Sequence, residues 1–118
     1  MPTTVLIVDD HPSFRGSARA ILEADGFEIV GEAETAQGAL AAARALHPDV
    51  VLLDVQLPDR SGFDVCAELV DGNGGTPNVV LVSSRDGSDF GPLVERSGAR
   101  GFIAKAELSG AALSALLA

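Results

Sequence analysis

Short apolar runs alternate along the chain with segments whose apolar residues recur about every 3.6 positions. Five runs have the length of strands and lie at residues 5–8, 28–30, 50–53, 79–82 and 101–104. The first, third and fourth are continuously apolar, which is typical of strands buried on both faces of a parallel sheet. The segments between them have the spacing of amphipathic helices. This order predicts one α/β domain of five strands and five helices, joined by right-handed crossovers.

Residues that commonly begin or end helices lie at the expected boundaries of these elements. Gly26 follows the first helix, where a left-handed glycine is common, and Ser109 can cap the start of the last helix. Gly91 and Pro92 fall where the fourth helix should already be established. Because proline is tolerated only in the first turn of a helix, we expect this helix to be short and to begin late, near residues 89–92.

Composition narrows the classes of function. The chain has 118 residues, enough to bury the core of one domain, and 17 acidic against 8 basic residues give it a formal charge of -9. This acidity argues against binding to nucleic acid, which needs clustered positive charge, and favours a cation site or a basic partner. Cys66 is the single cysteine, so no internal disulfide can form. No apolar run is long enough for a signal peptide or a membrane span, and we therefore expect a cytoplasmic domain that binds no membrane.

Several of the predicted strands end in polar side chains. In an open parallel sheet the carboxyl ends of the strands lie at one edge, where ligands bind. The residues expected there are Asp9 and Asp10 after the first strand, Asp54 after the third, Ser83 and Ser84 after the fourth, and Lys105, the single lysine, after the fifth. Clustered carboxylates repel one another unless a cation offsets their charge, and Mg²⁺ suits such an all-oxygen site. Because a carboxylate can also attack phosphorus, the pattern predicts a site for phosphoryl transfer.

Simpler interpretations compete with this one at single residues. Asp9 and Asp10 could simply be solvated residues at a strand end. The only role of Ser83 could be to form hydrogen bonds with nearby backbone groups. Phe102 could be an ordinary core residue. His11 could serve as a ligand because histidine titrates near neutral pH, but we favour a surface residue at the start of a helix.

The motifs resemble, in order and spacing, those of bacterial response-regulator receiver domains. Residues 5–12 resemble the acidic start of the family, residues 49–62 its phosphoacceptor strand and loop, residues 79–84 its fourth strand and residues 98–105 its fifth. The first and last motifs are most similar to receivers that precede LuxR-type DNA-binding domains. The resemblance implies one receiver domain over residues 1–118, with a flavodoxin-like, doubly wound parallel sheet in the order 2-1-3-4-5.

The resemblance also implies roles at the predicted site. Asp54 would be the phosphoryl acceptor, Lys105 would pair with the phosphoryl group, and Ser83 would donate a hydrogen bond to it. Mg²⁺, with Mn²⁺ as a substitute, would be held by Asp10 and Asp54 directly, by Asp9 mainly through water, and by the backbone carbonyl of Gln56.

Two further roles concern the conformational switch and the rim of the site. Ser83 and Phe102 would form the switch, in which the ring turns inward as the serine moves toward the phosphoryl group. Ser84 and Arg85 would flank the site, and the small Ser84 should leave it open to a bulky donor. Arg85 and Gln56 would tune the rate of dephosphorylation, in a direction that the resemblance does not assign.

The chain departs from the family pattern at three places. Ser83 stands where a threonine is more usual, which removes a methyl group and some rotamer restriction. Ala106 follows Lys105 where many receivers have proline, and this leaves the turn after the lysine in doubt. Gly91 and Pro92 disturb the fourth helix, which belongs to the usual output surface of the family.

The function that the resemblance implies is two-component signal transduction. A sensor histidine kinase would phosphorylate Asp54, and the surface formed by the fourth helix, fifth strand and fifth helix would switch to control an output domain or partner. The chain would support only its own phosphorylation and dephosphorylation and would not otherwise be an enzyme. A homodimer through that surface, or through the first and fifth helices, is left open. Only nine residues follow Ser109, so we expect this chain to bind no DNA itself and leave open an output domain beyond Ala118.

Two other functions remain open on the residues alone. An aspartyl-phosphate phosphatase shares an aspartate nucleophile and magnesium on a parallel sheet, but such enzymes resemble a pattern with a second aspartate where this chain has Gln56. A pseudo-receiver would act as an interaction module without phosphorylation, and the intact acidic set argues against it. Steady turnover of a phosphate monoester would favour the phosphatase, and a lack of magnesium affinity would favour the pseudo-receiver.

Overall fold

The strands and helices follow the predicted alternation. The computed structural model describes residues 2–71, 77–84 and 90–118. The strands are β1 (Thr4–Val8), β2 (Glu28–Ala33), β3 (Val50–Asp54), β4 (Asn78–Ser83) and β5 (Gly101–Ala104). The helices are α1 (Pro12–Ala24), α2 (Ala36–Leu46), α3 (Gly62–Asp71), α4 (Gly91–Ser97) and α5 (Gly110–Leu117), and a 3-10 turn lies at Lys105–Glu107. In the part of the chain that is described, no helix is long and apolar enough to cross a bilayer.

All five strands are parallel, in the order β2-β1-β3-β4-β5, which confirms the doubly wound sheet. The three inner strands are the continuously apolar runs, and they are buried except at the first residues of β1 and β4. Edge strand β2 has six residues instead of the predicted three, because its exposed edge includes polar and glycine positions that an apolar run does not reveal. Burial on both faces therefore separates inner from edge strands.

Two apolar clusters fill the space between the sheet and its helices. Side chains of β1 and β3 alternate between them, with Leu6 and Leu53 in one cluster and Ile7 and Leu52 in the other. The first cluster packs against α2 and α3, and Val94 of α4 adds to it. The second packs against α1 and α5. The helices therefore cover both faces and leave the carboxyl ends of the strands free to form a site.

The helices begin and end close to the glycine, proline and serine residues that predicted their boundaries. Gly26 has a φ of +92° just after α1, and Ser109 Oγ accepts a hydrogen bond from the N–H of Ala112 at the start of α5. Pro92 lies in the first turn of α4, which has only seven residues. His47 ends α2 with a φ of +47°, a left-handed conformation that the sequence did not predict for a residue other than glycine.

Candidate functional site

The strand ends meet at one edge of the sheet. Val8 pairs with Leu53, Asp54 with Val82 and Ser83 with Ala104, so the ends of β1, β3, β4 and β5 line up at this edge. An open cavity of about 830 Å³ lies there, and its lining includes Asp10, His11, Asp54, Gln56, Ser83, Ser84 and Lys105. The cavity therefore brings together most of the predicted site residues, and the buried Asp9 joins them through its ion pair with Lys105. Phe102 is not part of the lining, and Arg85 lies outside the described residues.

A cluster of carboxylates forms the floor of this cavity. One ligand atom from each of Asp9, Asp10, His11 and Asp54 lies within 4.8 Å of the others. Asp9 is fully buried and Asp54 is 4% exposed. Asp9 Oδ1 accepts a hydrogen bond from the N–H of His11 at 2.8 Å, and its Oδ2 faces the ammonium of Lys105 at 2.6 Å. Buried carboxylate oxygens that keep unused lone pairs are typical ligands for a divalent cation.

Lys105 supplies positive charge inside the cluster. Its Nζ lies 2.6 Å from Asp9 Oδ2 and 3.3 Å from Asp54 Oδ2, and its side chain is 15% exposed. The same ammonium lies over the ring of Phe14, 4.7 Å from the centroid. Lys105 opens the 3-10 turn, which is how the chain continues without the proline of many receivers. The single lysine of the chain thus bridges two carboxylates and an aromatic face.

The surroundings of Asp54 disfavour its charge when only protein groups are present. Burial raises the pKa of Asp54 above its ordinary value of 3.8, and the negative charge of Asp9 raises it further. The N–H of Gln56, 3.1 Å from Oδ1, and the ammonium of Lys105 oppose this increase without cancelling it. One ammonium does not offset three neighbouring carboxylates, so this donor set fits a further cation such as Mg²⁺.

The loop after Asp54, residues 55–61, is folded tightly onto the strand it follows. The N–H of Gly62 donates to the carbonyl of Val55 at 2.7 Å, and Gln56 forms an antiparallel bridge with Ser61. A Cβ at Gly62 would clash with the backbone carbonyl of Asp54, so only glycine fits at this position. We call residues 55–61 the acceptor loop.

The acceptor loop is also tied to the next helix along the sheet. The Asp59 carboxylate accepts hydrogen bonds from the N–H of Ala36 at 2.8 Å and of Gln37 at 3.1 Å. The first of these bonds is the main reason that the pKa of Asp59 lies below its ordinary value. Thr35 Oγ1 accepts from Gly38, so the first three N–H groups of α2 are all satisfied. Asp59 is therefore a link between the site and α2.

The remaining predicted residues lie where the sequence placed them. Ser83 is buried at the end of β4, and Ser84 is exposed beside it. Phe102 is partly buried, with its ring centroid 5.9 Å from that of Phe90, which lies 5.6 Å from that of Phe63. This aromatic row runs from the first turn of α3 to β5.

His11 combines both interpretations that the sequence offered. It is exposed and directly precedes α1, as predicted for a residue at a helix start. Its Nδ1 nevertheless lies 3.0 Å from Asp9 Oδ1 and 3.1 Å from Asp10 Oδ1. The ring therefore belongs to the rim of the carboxylate cluster.

Sequence patterns gave no signal for two contributors to the site. By its spacing Phe14 belongs to the apolar stripe of the first helix, and Asp59 falls in a loop, so the local pattern singles out neither residue. Their contacts with Lys105 and with the start of α2 join segments that are far apart in the chain. Only the packing of α1 and of the acceptor loop brings them there.

Comparisons with known proteins point to one family. The profile of the response regulator receiver domain matches residues 5–117. The transcription regulator BvgA of Bordetella pertussis is 37% identical over 108 residues, which are 91% of this chain and 51% of BvgA. The signal receiver domain of NarL from Mycobacterium tuberculosis has a TM-score of 0.85 at 31% identity, covering 98% of this chain and 97% of that one. A LuxR-family two-component response regulator from Aurantimonas sp. SI85-9A1 has a TM-score of 0.84 at 29% identity, covering 99% and 86%.

These similarities indicate the subgroup of receivers that this chain resembles and how its length compares with that of its relatives. The likeness to a LuxR-family regulator and to NarL confirms the predicted relationship to LuxR-type receivers. The chain spans about half the length of the curated relatives it matches.

Proposed function

The chain belongs to the response-regulator receiver family, and on that premise we propose that Asp54 accepts a phosphoryl group from a sensor histidine kinase. A carboxylate oxygen of Asp54 attacks the phosphorus of a phosphohistidine. The new O–P bond forms as the N–P bond breaks, and the imidazole leaves with the electron pair and then takes a proton from solvent. The observation that supports this role most directly is the meeting of Asp54, Asp9 and Lys105 at the free edge of the sheet.

The residues around Asp54 would prepare it for the reaction. Asp9, Asp10, Asp54 and the backbone carbonyl of Gln56 would hold Mg²⁺, or Mn²⁺ in its place. Bound there, the metal supplies positive charge for the carboxylates and for the phosphoryl oxygens. The Lys105 ammonium, already within 3.3 Å of Asp54, would pair with a phosphoryl oxygen, and the Ser83 hydroxyl would donate to another.

The switch would carry the new charge to a surface. As Ser83 moves toward the phosphoryl group, Phe102 would turn inward and change the face formed by α4, β5 and α5. That face would control a DNA-binding output domain outside this chain, in keeping with relatives that are transcription regulators. It would also be one of two dimer interfaces, the other formed by α1 and α5. The chain itself would bind neither nucleic acid nor membrane, and it would work in the cytoplasm beside its kinase.

Beryllofluoride, which mimics the phosphoryl group on an aspartate, tests the acceptor directly. With Mg²⁺ present, the wild-type protein should bind it in calorimetry, and Asp54→Asn should not. Asp64→Asn is the matched control, because Asp64 is an exposed aspartate in the first turn of α3, and it should bind as the wild type does. Equal binding by the wild type and Asp54→Asn would overturn the proposal.

Catalysis would be limited to the domain's own phosphorylation and dephosphorylation. Gln56 occupies the position that carries a second aspartate in aspartyl-phosphate phosphatases, so no general acid stands two residues beyond the nucleophile. With p-nitrophenyl phosphate, transfer to Asp54 should therefore release a burst of p-nitrophenol of one equivalent per chain, followed only by slow release as phospho-Asp54 hydrolyses and frees the acceptor. Continued release at the rate of the burst, lost in Asp54→Asn, would instead establish a phosphatase.

A further inference from the structure

The ammonium of Lys105 is held from three sides, and only two of its contacts are carboxylates. Asp9 and Asp54 lie at 2.6 and 3.3 Å, and the third neighbour is the ring of Phe14 at 4.7 Å. A lysine head group on a flexible four-carbon stem has no preferred direction of its own. Its position in the site is therefore set by these three neighbours.

A bound divalent cation would compete with Lys105 for the two carboxylates but not for the ring of Phe14. Both carboxylates belong to the cluster that fits a divalent cation, so a bound cation and the lysine would draw on the same oxygens. A phenyl ring is not a ligand for Mg²⁺, yet its face attracts an ammonium within about 6 Å of the centroid. The ring therefore stays available to the lysine whatever occupies the carboxylates.

The location of Phe14 suits a fixed contact. It lies in the first turn of α1 and is partly buried, packed against the apolar cluster on the α1 and α5 face of the sheet. The ring and the 15% exposure of the Lys105 side chain together keep most water from the ammonium, which strengthens an attraction of this kind.

We propose that Phe14 is a positioning residue. Its ring holds the Lys105 ammonium beside Asp54, so that the ammonium is already in place to pair with the phosphoryl group. The inference rests on the proposed role of Asp54 and goes beyond it by adding a residue of α1. Phe14→Leu keeps an apolar side chain of similar size but removes the ring face. We expect it to weaken beryllofluoride binding about 3- to 10-fold, the range of a partly desolvated cation–π contact.

The single lysine makes the contact directly observable. In protein labelled with ¹³C at the lysine ε position, one methylene signal reports on Lys105. A ring face shifts nearby protons upfield, so in the wild type without beryllofluoride this signal should lie upfield of its position in urea-unfolded protein. Phe14→Leu should return it toward the unfolded value, and Phe14→Tyr, which keeps the ring, should restore both the shift and the affinity.

Phe27→Leu separates the ring contact from general packing. Phe27 is also a partly buried phenylalanine packed against the same apolar cluster, but the structure records no contact between it and the lysine. This variant should lose apolar packing yet keep the lysine signal and the beryllofluoride affinity of the wild type. Equal effects of Phe14→Leu and Phe27→Leu would overturn the inference.

The two measurements distinguish this inference from the function on which it rests. If the wild type binds no beryllofluoride, the acceptor role of Asp54 fails and the inference fails with it. If the wild type binds but Phe14→Leu binds equally well or more tightly, or leaves the lysine signal where it was, the inference alone is wrong and the acceptor role stands.

Discussion

Asp54 ends a strand that is buried along its whole length, and its carboxylate is therefore held where its charge is disfavoured. Burial is the largest cause of its raised pKa, followed among the raising causes by the charge of Asp9. A carboxyl whose pKa is higher in the folded protein than in the unfolded chain contributes stability below its ordinary value of 3.8. That contribution is lost as the pH rises through the raised value. At neutral pH the ionised Asp54 thus lowers the free energy of unfolding, and a neutral residue should relieve this cost.

We predict that Asp54→Asn is more stable than the wild type at pH 7 without Mg²⁺. The difference in melting temperature should narrow as the pH falls from neutrality toward 4, because Asp54 then becomes protonated in the wild type. Thermal unfolding followed by circular dichroism across this range, in EDTA, measures it. Mg²⁺ should raise the melting temperature of the wild type more than that of the variant, since the variant lacks a metal-binding carboxylate. A constant difference at all pH values would contradict the role given to burial.

At the scale of elements, the junction between β3 and α3 decides where the acceptor points. Gly62 begins α3 directly against the backbone of Asp54, and the acceptor loop between them is closed by its own hydrogen bonds. The sequence predicted both elements, because an apolar run and a helical stripe are local patterns. It did not predict the close approach, which depends on how the loop folds back onto the strand.

Gly62→Ala should therefore displace the acceptor. Its Cβ would meet backbone atoms, which cannot turn aside as a flexible side chain can, and we expect a loss of about 1–3 kcal/mol in the free energy of unfolding. Gly16→Ala is the matched control, because the structure leaves open space around Gly16 inside α1 and alanine favours the helix by about 0.5–1 kcal/mol. Urea unfolding of both variants measures this. A neutral or stabilising Gly62→Ala would show that the loop gives way easily.

For the whole molecule, sequence reasoning succeeded where the signal was a strand or its end. Asp9, Asp54 and Lys105 were assigned to one edge because each follows or ends an apolar run, and parallel strands place such positions together. Contacts made by helices and loops were out of reach. Phe14 meets Lys105 only because α1 packs beside β1, and Asp59 reaches α2 only because the acceptor loop folds toward it. Such pairs depend on packing angles that no local pattern encodes.

Asp9, Asp54 and Lys105 lie at the ends of β1, β3 and β5. The ion pairs of Lys105 therefore couple one edge strand of the sheet to two of its inner strands. We predict that Lys105→Ala still accepts beryllofluoride on Asp54, with weaker affinity, because the aspartate and the metal-binding carboxylates remain. The response of α4, β5 and α5 should be smaller, since β5 loses the side chain through which the phosphoryl group would act on it. Amide chemical-shift changes on saturation with beryllofluoride and Mg²⁺ measure this response.

The control for Lys105→Ala is another cation beside the same cavity. Arg60 lines the rim and pairs with Glu68 at 3.4 Å, so Arg60→Ala removes one positive charge and leaves both ion pairs of Lys105 intact. It should respond to beryllofluoride as the wild type does. If Lys105→Ala gives the full set of shift changes at saturation, the acceptor acts on the output face without its lysine, and transmission then rests on Ser83 and Phe102 alone. If both variants respond weakly, net charge at the cavity matters and the ion pairs across the strands do not.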